Sequence, residues 1–186
     1  MKNIPALACL AIILFSACGP TAKVTSEKEY KDTIGIKSVF VVVVTDAATR
    51  DCMNYYQNFF VDSLKSYGLN AAGTFYCCRD KKTDIKALMD SLAPAASGYQ
   101  TILGIVMAKV VTGYGASSQR GLELQLFDFG KQEVTWKGKL RADFSWFISD
   151  ENYRSVAHKM VNSTLDALKY QEIVTGSTGA AGAGRR

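Results

Sequence analysis

Histidine is nearly missing from this sequence: His158 is the one present in 186 residues. A Ser-His-Asp arrangement needs its histidine beside a nucleophile in a pocket, and nothing in the sequence places one there. His158 falls between the inward positions of the last helix and reads as an exposed surface residue. The five cysteines include no Cys-x-x-Cys pair and no zinc-type spacing, which argues against structural zinc and thioredoxin-like chemistry. No metal site and no cofactor are expected. The net charge is +5, yet acidic and basic residues are interspersed and no long basic run appears, so nucleic acid has no support as a partner. No apolar run reaches the roughly 20 residues of a membrane-spanning helix. No long alternating segment is available for a membrane barrel. The Gly/Ser-rich stretch from Gly113 to Gly121 lacks the Gly-Lys-Ser/Thr ending of a phosphate loop and reads as a mobile hairpin connection.

The N-terminus holds the most specific signal. Met1-Lys2-Asn3 supplies one positive charge, and a short apolar run from Ile4 to Phe15 follows. A positive start, a short apolar core and small residues mark a secretory signal, here residues 1–17. The junction Phe15-Ser16-Ala17-Cys18-Gly19 resembles the lipobox of bacterial lipoproteins. That resemblance implies lipid attachment at Cys18, cleavage before it and acylation of the new amino group with a fatty acid such as palmitate. The chain departs from the pattern at Phe15, where Leu is preferred. Gly19 stands where Asp is the inner-membrane retention signal, which implies the outer membrane, facing the periplasm. Residues 18–36 are polar and of mixed charge, and read as a flexible tether.

Past the tether the apolar periodicity alternates between strand and helix. Ser38–Thr45 is a continuous β-branched run, which suits a strand buried on both faces. Cys52, Tyr55, Tyr56, Phe59, Phe60, Leu64 and Tyr67 form one helical stripe, ended by Gly68. Leu69–Cys77 is a second strand and Thr83–Leu92 a second helix. Tyr99–Val111 is a third strand. Leu122, Leu124 and Leu126 alternate with polar residues, as do Val134, Trp136, Gly138 and Leu140, and Gly130-Lys131-Gln132 marks the turn of a hairpin. Asp150–Tyr170 is the last helix. The expected fold is α/β: order β-α-β-α-β-β-β-α, parallel strands first, an antiparallel hairpin after, and helices packed on a mixed sheet. The single domain spans 37–172, and 173–186 is a disordered Gly/Ala-rich tail.

The strand Val39–Val44, the aromatic-rich helix after it, the hairpin Leu122–Asp128 with Glu133–Trp136, and the closing helix together resemble a small domain of envelope lipoproteins. Examples are the TolB N-terminal domain, the curli-secretion lipoprotein and lipoprotein activators of penicillin-binding proteins. The resemblance covers roughly 37–170. It implies docking or assembly rather than catalysis, and it supplies no catalytic residue.

Three groups of residues are candidate sites. Asp46, Arg50, Arg79 and Asp80 belong at the carboxyl end of the parallel strands, where α/β sheets bind ligands; helix capping by Asp46 or Thr49 is the competing reading. Cys52 and Cys77 or Cys78 share that end, and a crosslink between them would close a loop of about 25 residues; three buried, reduced thiols are the alternative. Phe144, Trp146, Phe147 and Ile148 carry large apolar groups on both faces, which fits either an interaction patch or burial. The expected function is non-enzymatic: a lipid-anchored periplasmic protein that docks to an envelope protein of unknown identity. The alternatives are a homo-oligomeric subunit of an outer-membrane export complex, and an envelope hydrolase or glycan-binding protein.

Overall fold

The computed structural model describes residues 22–28, 35–77, 90–92, 94–111, 117–145 and 149–174. Strands β1 (Ala22–Lys28), β2 (Ser38–Thr45), β3 (Asn70–Cys77), β4 (Thr101–Val111), β5 (Ser117–Asp128) and β6 (Glu133–Ser145) form one sheet in the order β1-β6-β5-β4-β2-β3. Helix α1 (Arg50–Ser66) follows a 3-10 turn at Ala47–Thr49, and α2 (Asp150–Tyr170) closes the domain.

Strand β2 lies parallel to both β3 and β4, and all of it after Ser38 is buried. Its continuous Val run follows from that placement, since both faces are covered. Val39, Val41 and Val43 meet the helices, while Phe40, Val42 and Val44 pack with Ile102, Leu92 and Ala96 on the other side. The remaining strand pairs, β4 with β5, β5 with β6 and β6 with β1, are antiparallel.

Both helices cover the same sheet face. Helix α1 buries Cys52, Met53, Tyr56, Phe60 and Leu64 there. Gly68 after it adopts φ +82°, a left-handed stop that glycine takes without steric cost. Helix α2 starts at Ser149, whose hydroxyl accepts from Asn152 N, and buries Val156, Ala157, Met160, Val161, Leu165 and Leu168. The two helices meet through Tyr56 and Thr164, whose hydroxyls lie 2.9 Å apart. Thr164 donates to the Met160 carbonyl, so Tyr56 is the donor to Thr164. Trp136 is fully buried below them and donates to the Ser26 hydroxyl at 3.3 Å. A Cβ on Gly138 would come within 2.7 Å of the Trp136 ring, so glycine there is what lets the indole lie against β6.

Several expectations are corrected. The order gains a leading strand, because 22–28 form β1 inside the segment read as the 18–36 tether. Val24 and Ala22 pack toward the helices, and Ser163 of α2 accepts from Val24 N at 3.0 Å. Polar alternation with two small inward residues is the pattern of an edge strand, and it imitates a linker. Residues 117–121, read as part of a mobile connection, belong to β5. Residues 173 and 174, read as the start of the tail, belong to the packed domain: both are buried and the Ile173 carbonyl accepts from Ile36 N at 3.0 Å. Of the expected helix Thr83–Leu92, residues 90–92 are helical and the others lie outside the described residues. So do the signal 1–17, Cys18 and the tail beyond Val174.

Candidate functional site at the carboxyl end of the parallel strands

Strands β2 and β4 run to the same end of the sheet, and β1 and β5 start there. The cluster at that end is built from Asp46. One carboxylate oxygen, Oδ1, accepts from Thr49 N at 3.1 Å and from the Thr49 hydroxyl at 2.9 Å. The Thr45 hydroxyl lies 2.6 Å from that of Thr49, and with the Thr49 proton directed at Asp46, Thr45 is the donor. Capping and ligand binding were the two readings of Asp46, and the capping bonds are present. The other oxygen, Oδ2, accepts from Arg120 Nη1 at 2.7 Å.

Arg120 belongs to β5, and β4 lies between β5 and β2. The guanidinium therefore reaches across the end of β4 and passes Met107, whose sulfur is 3.7 Å from Nη1. Its side chain is 9% exposed, against 45% for Asp46. Arg120 Nε is buried with no hydrogen-bond partner. An ionic bond with one partner buried is strengthened by the low surrounding dielectric, while the buried partner depends on it for charge compensation. Sequence reasoning missed Arg120: no local pattern marks a residue 74 positions from its partner.

Arg50 is exposed at the start of α1. Arg79, Asp80 and Cys78 lie outside the described residues. Cys77 Sγ is 3.9 Å from the Asp46 carbonyl oxygen. Cys77 is disulfide-bonded, so its sulfur has no proton and this is a contact rather than a hydrogen bond. Cys52 is a free, fully buried thiol, so the crosslink from Cys52 is not made; with Cys77 bonded, the alternative of three reduced thiols does not hold either. Its Sγ turns toward α2 and donates to the Tyr153 carbonyl at 3.7 Å. Burial pushes this thiol up to about 12, so it stays protonated and unreactive at neutral pH. Among the described residues, no group of three or more His, Cys, Asp or Glu side chains could hold a metal ion.

The interaction patch read at Phe144, Trp146, Phe147 and Ile148 is not visible: the side chain of Phe144 and the whole of residues 146–148 lie outside the described residues. A different exposed group stands on the outer surface of the helical layer. The Tyr55 hydroxyl donates to Asp150 at 2.7 Å, and Arg154 binds the same carboxylate at 3.1 Å. The Arg154 guanidinium lies 4.7 Å from the Tyr55 ring centre, within range of a cation–π contact. The Tyr55 hydrogen bond and then Arg154 hold the Asp150 carboxyl below its ordinary range. One turn on, Phe59 stacks against His158 with ring centres 3.9 Å apart. Farther along, Lys169 covers Tyr67 at 4.4 Å from the ring centre, and Tyr170 is 85% exposed. The single stripe read for α1 thus divides. Tyr56 and Phe60 are buried, while Tyr55 and Phe59 sit half-exposed at its rim.

No family model matches the sequence, and no curated protein matches it. Among solved structures, it is similar to the PelC dodecamer from Paraburkholderia phytofirmans at 14% identity, covering 77% of this chain and 96% of that one, with a TM-score of 0.45. Lipoprotein GNA1162 from Neisseria meningitidis is similar at 10% identity, over 72% of this chain and 98% of that one, with a TM-score of 0.43. Protein XCC0632 from Xanthomonas campestris is similar at 10% identity, over 80% and 93%, with a TM-score of 0.42.

Proposed function

We propose that the chain is an exported lipoprotein, anchored through Cys18 in the bacterial outer membrane, that works by docking to other envelope proteins. The observation that carries the docking half is the row of half-exposed rings on the helical layer: Tyr55, Phe59 and Tyr67, interleaved with Arg154, His158 and Lys169. Aromatic and arginine side chains are enriched at protein interfaces because they bury much area at little cost in conformational freedom. Here their mutual contacts already restrict their rotamers, which lowers the cost of binding further. The Asp46 end suits ligand chemistry less well, since its carboxylate is committed to a helix cap and to Arg120. The anchoring half rests on the sequence from Met1 to Gly19.

The test places a photoreactive amino acid at Phe59 in the tagged native protein and identifies its adducts in the intact envelope. A defined heterologous adduct, lost in a Cys18→Ala control, is the expected outcome. Absence of any protein adduct at Phe59 would remove the helical surface from the proposal.

A self-assembling subunit is a second reading, and strand β3 favours it. Among the described residues β3 pairs with β2 alone and so forms a sheet edge. Its sequence, Asn70–Cys77, carries no charge, and edges without charge lack the usual protection against strand addition. A self-adduct in the same experiment would favour this reading.

A further inference from the structure

We infer that the anchored domain lies against the bilayer, with Lys23 and Arg141 on its anionic headgroups. This inference rests on the lipoprotein reading of Cys18. Strand β1 begins at Ala22, four residues after that cysteine. Four residues of fully extended chain span at most about 14 Å, whereas a free tether over 18–36 would allow roughly 60 Å. The start of β1 is fixed to the domain by its pairing with β6 and by the bond from Val24 N to Ser163. The membrane therefore faces the end of the sheet where β1 starts, on the β1–β6 side.

The charges on that side fit an anionic surface. Lys23 and Arg141 are direct partners across the β1–β6 ladder, and both are exposed. Like charges placed directly opposite each other repel. The partner of Arg141 on β5 is Gly121, so no carboxylate stands directly opposite the pair on that strand. Two rungs away the arrangement is different. Lys139 binds Glu27 at 2.5 Å and faces Glu123 on β5, and Glu27 raises its affinity for the proton. The cation bound to a carboxylate lies farther from the anchor, and of the two like-charged rungs, Lys23 with Arg141 and Lys28 with Lys137, the first lies nearest to it. Basic side chains held at a bilayer surface are attracted by acidic lipids, over a range limited by salt screening.

The test uses the full lipidated protein. Intact mass first establishes whether Cys18 carries lipid. Amine-reactive footprinting then compares Lys23 with Lys65, an exposed lysine in the last turn of α1 at the opposite end of the sheet. The protein is placed in detergent, in neutral phosphatidylcholine vesicles, and in vesicles that contain phosphatidylglycerol. In the acidic vesicles the labelling of Lys23 should fall several-fold while that of Lys65 holds, and high salt should restore it. Arg141→Glu gives Lys23 a carboxylate partner and should weaken the effect of phosphatidylglycerol. Equal labelling of both lysines on a lipidated chain would overturn the inference and leave the anchor standing. Protection that is the same in neutral and acidic vesicles would overturn the role of the charges. A chain without lipid at Cys18 would overturn the lipoprotein reading itself.

Discussion

Strand β6 has two different sides. Toward the helices Trp136, Gly138, Leu140 and Ala142 are buried, while on the opposite face Lys137, Lys139 and Arg141 are exposed. The same alternation continues into β5, where Leu122, Leu124 and Leu126 are buried and Glu123 and Gln125 are half-exposed. One side holds the domain together, and the other is free to meet something outside it. Among the described residues, the open side is the β5-β6-β1 half of the sheet, and Leu92 and Ala96 cover the β2-β4 half.

Substitutions on the two sides should therefore differ in size and in kind. The largest effect is expected from Trp136→Ala, which empties the space below both helices and leaves Ser26 without its indole donor. It should lower stability by about 3–5 kcal/mol in denaturant melts. A loss under about 1 kcal/mol would mean that the covered side is not the main core. Asp46→Asn comes next. Asn still caps the turn before α1, but the charge facing Arg120 is gone and a buried guanidinium is left uncompensated. A loss of about 1–3 kcal/mol is expected, and a neutral result would show that Arg120 turns out to water. Lys139→Ala on the open side should leave the unfolding midpoint unchanged, because its bond to Glu27 is exposed and screened. A clear drop there would erase the distinction between the two sides.

The parts of the fold legible from sequence are those whose pattern belongs to one environment. The Val run of β2 could be read because burial on both faces removes the alternation. The inward set of α2 and the alternation of β5 and β6 could be read because each of these elements has one wet side. Strand β1 could not. Only Ala22 and Val24 point inward with any apolar surface, and an edge strand dressed in Lys, Thr and Glu has the composition of a linker. The Arg120–Asp46 pair was illegible for a different reason: it depends on β5 lying two strands from β2, a fact of topology and not of local sequence. The rim position of Tyr55 and Phe59 depends likewise on how α2 lies beside α1, and periodicity alone assigned them to the same stripe as Tyr56 and Phe60. Cys52 shares an end of the sheet with Cys77, as the β-α-β order implies, but its thiol turns to α2 and the two do not join.

The anchored reading, the short link to β1 and the charge argument at Lys23 and Arg141 all start from one atom, the sulfur of Cys18. The most direct measurement is the intact mass and N-terminal sequence of the native protein extracted from the cell envelope. The account predicts a chain that begins at Cys18 and carries diacylglycerol on its sulfur, with a further acyl group on its amine. A chain that keeps residues 1–17, or one cut elsewhere with an unmodified Cys18, would contradict it.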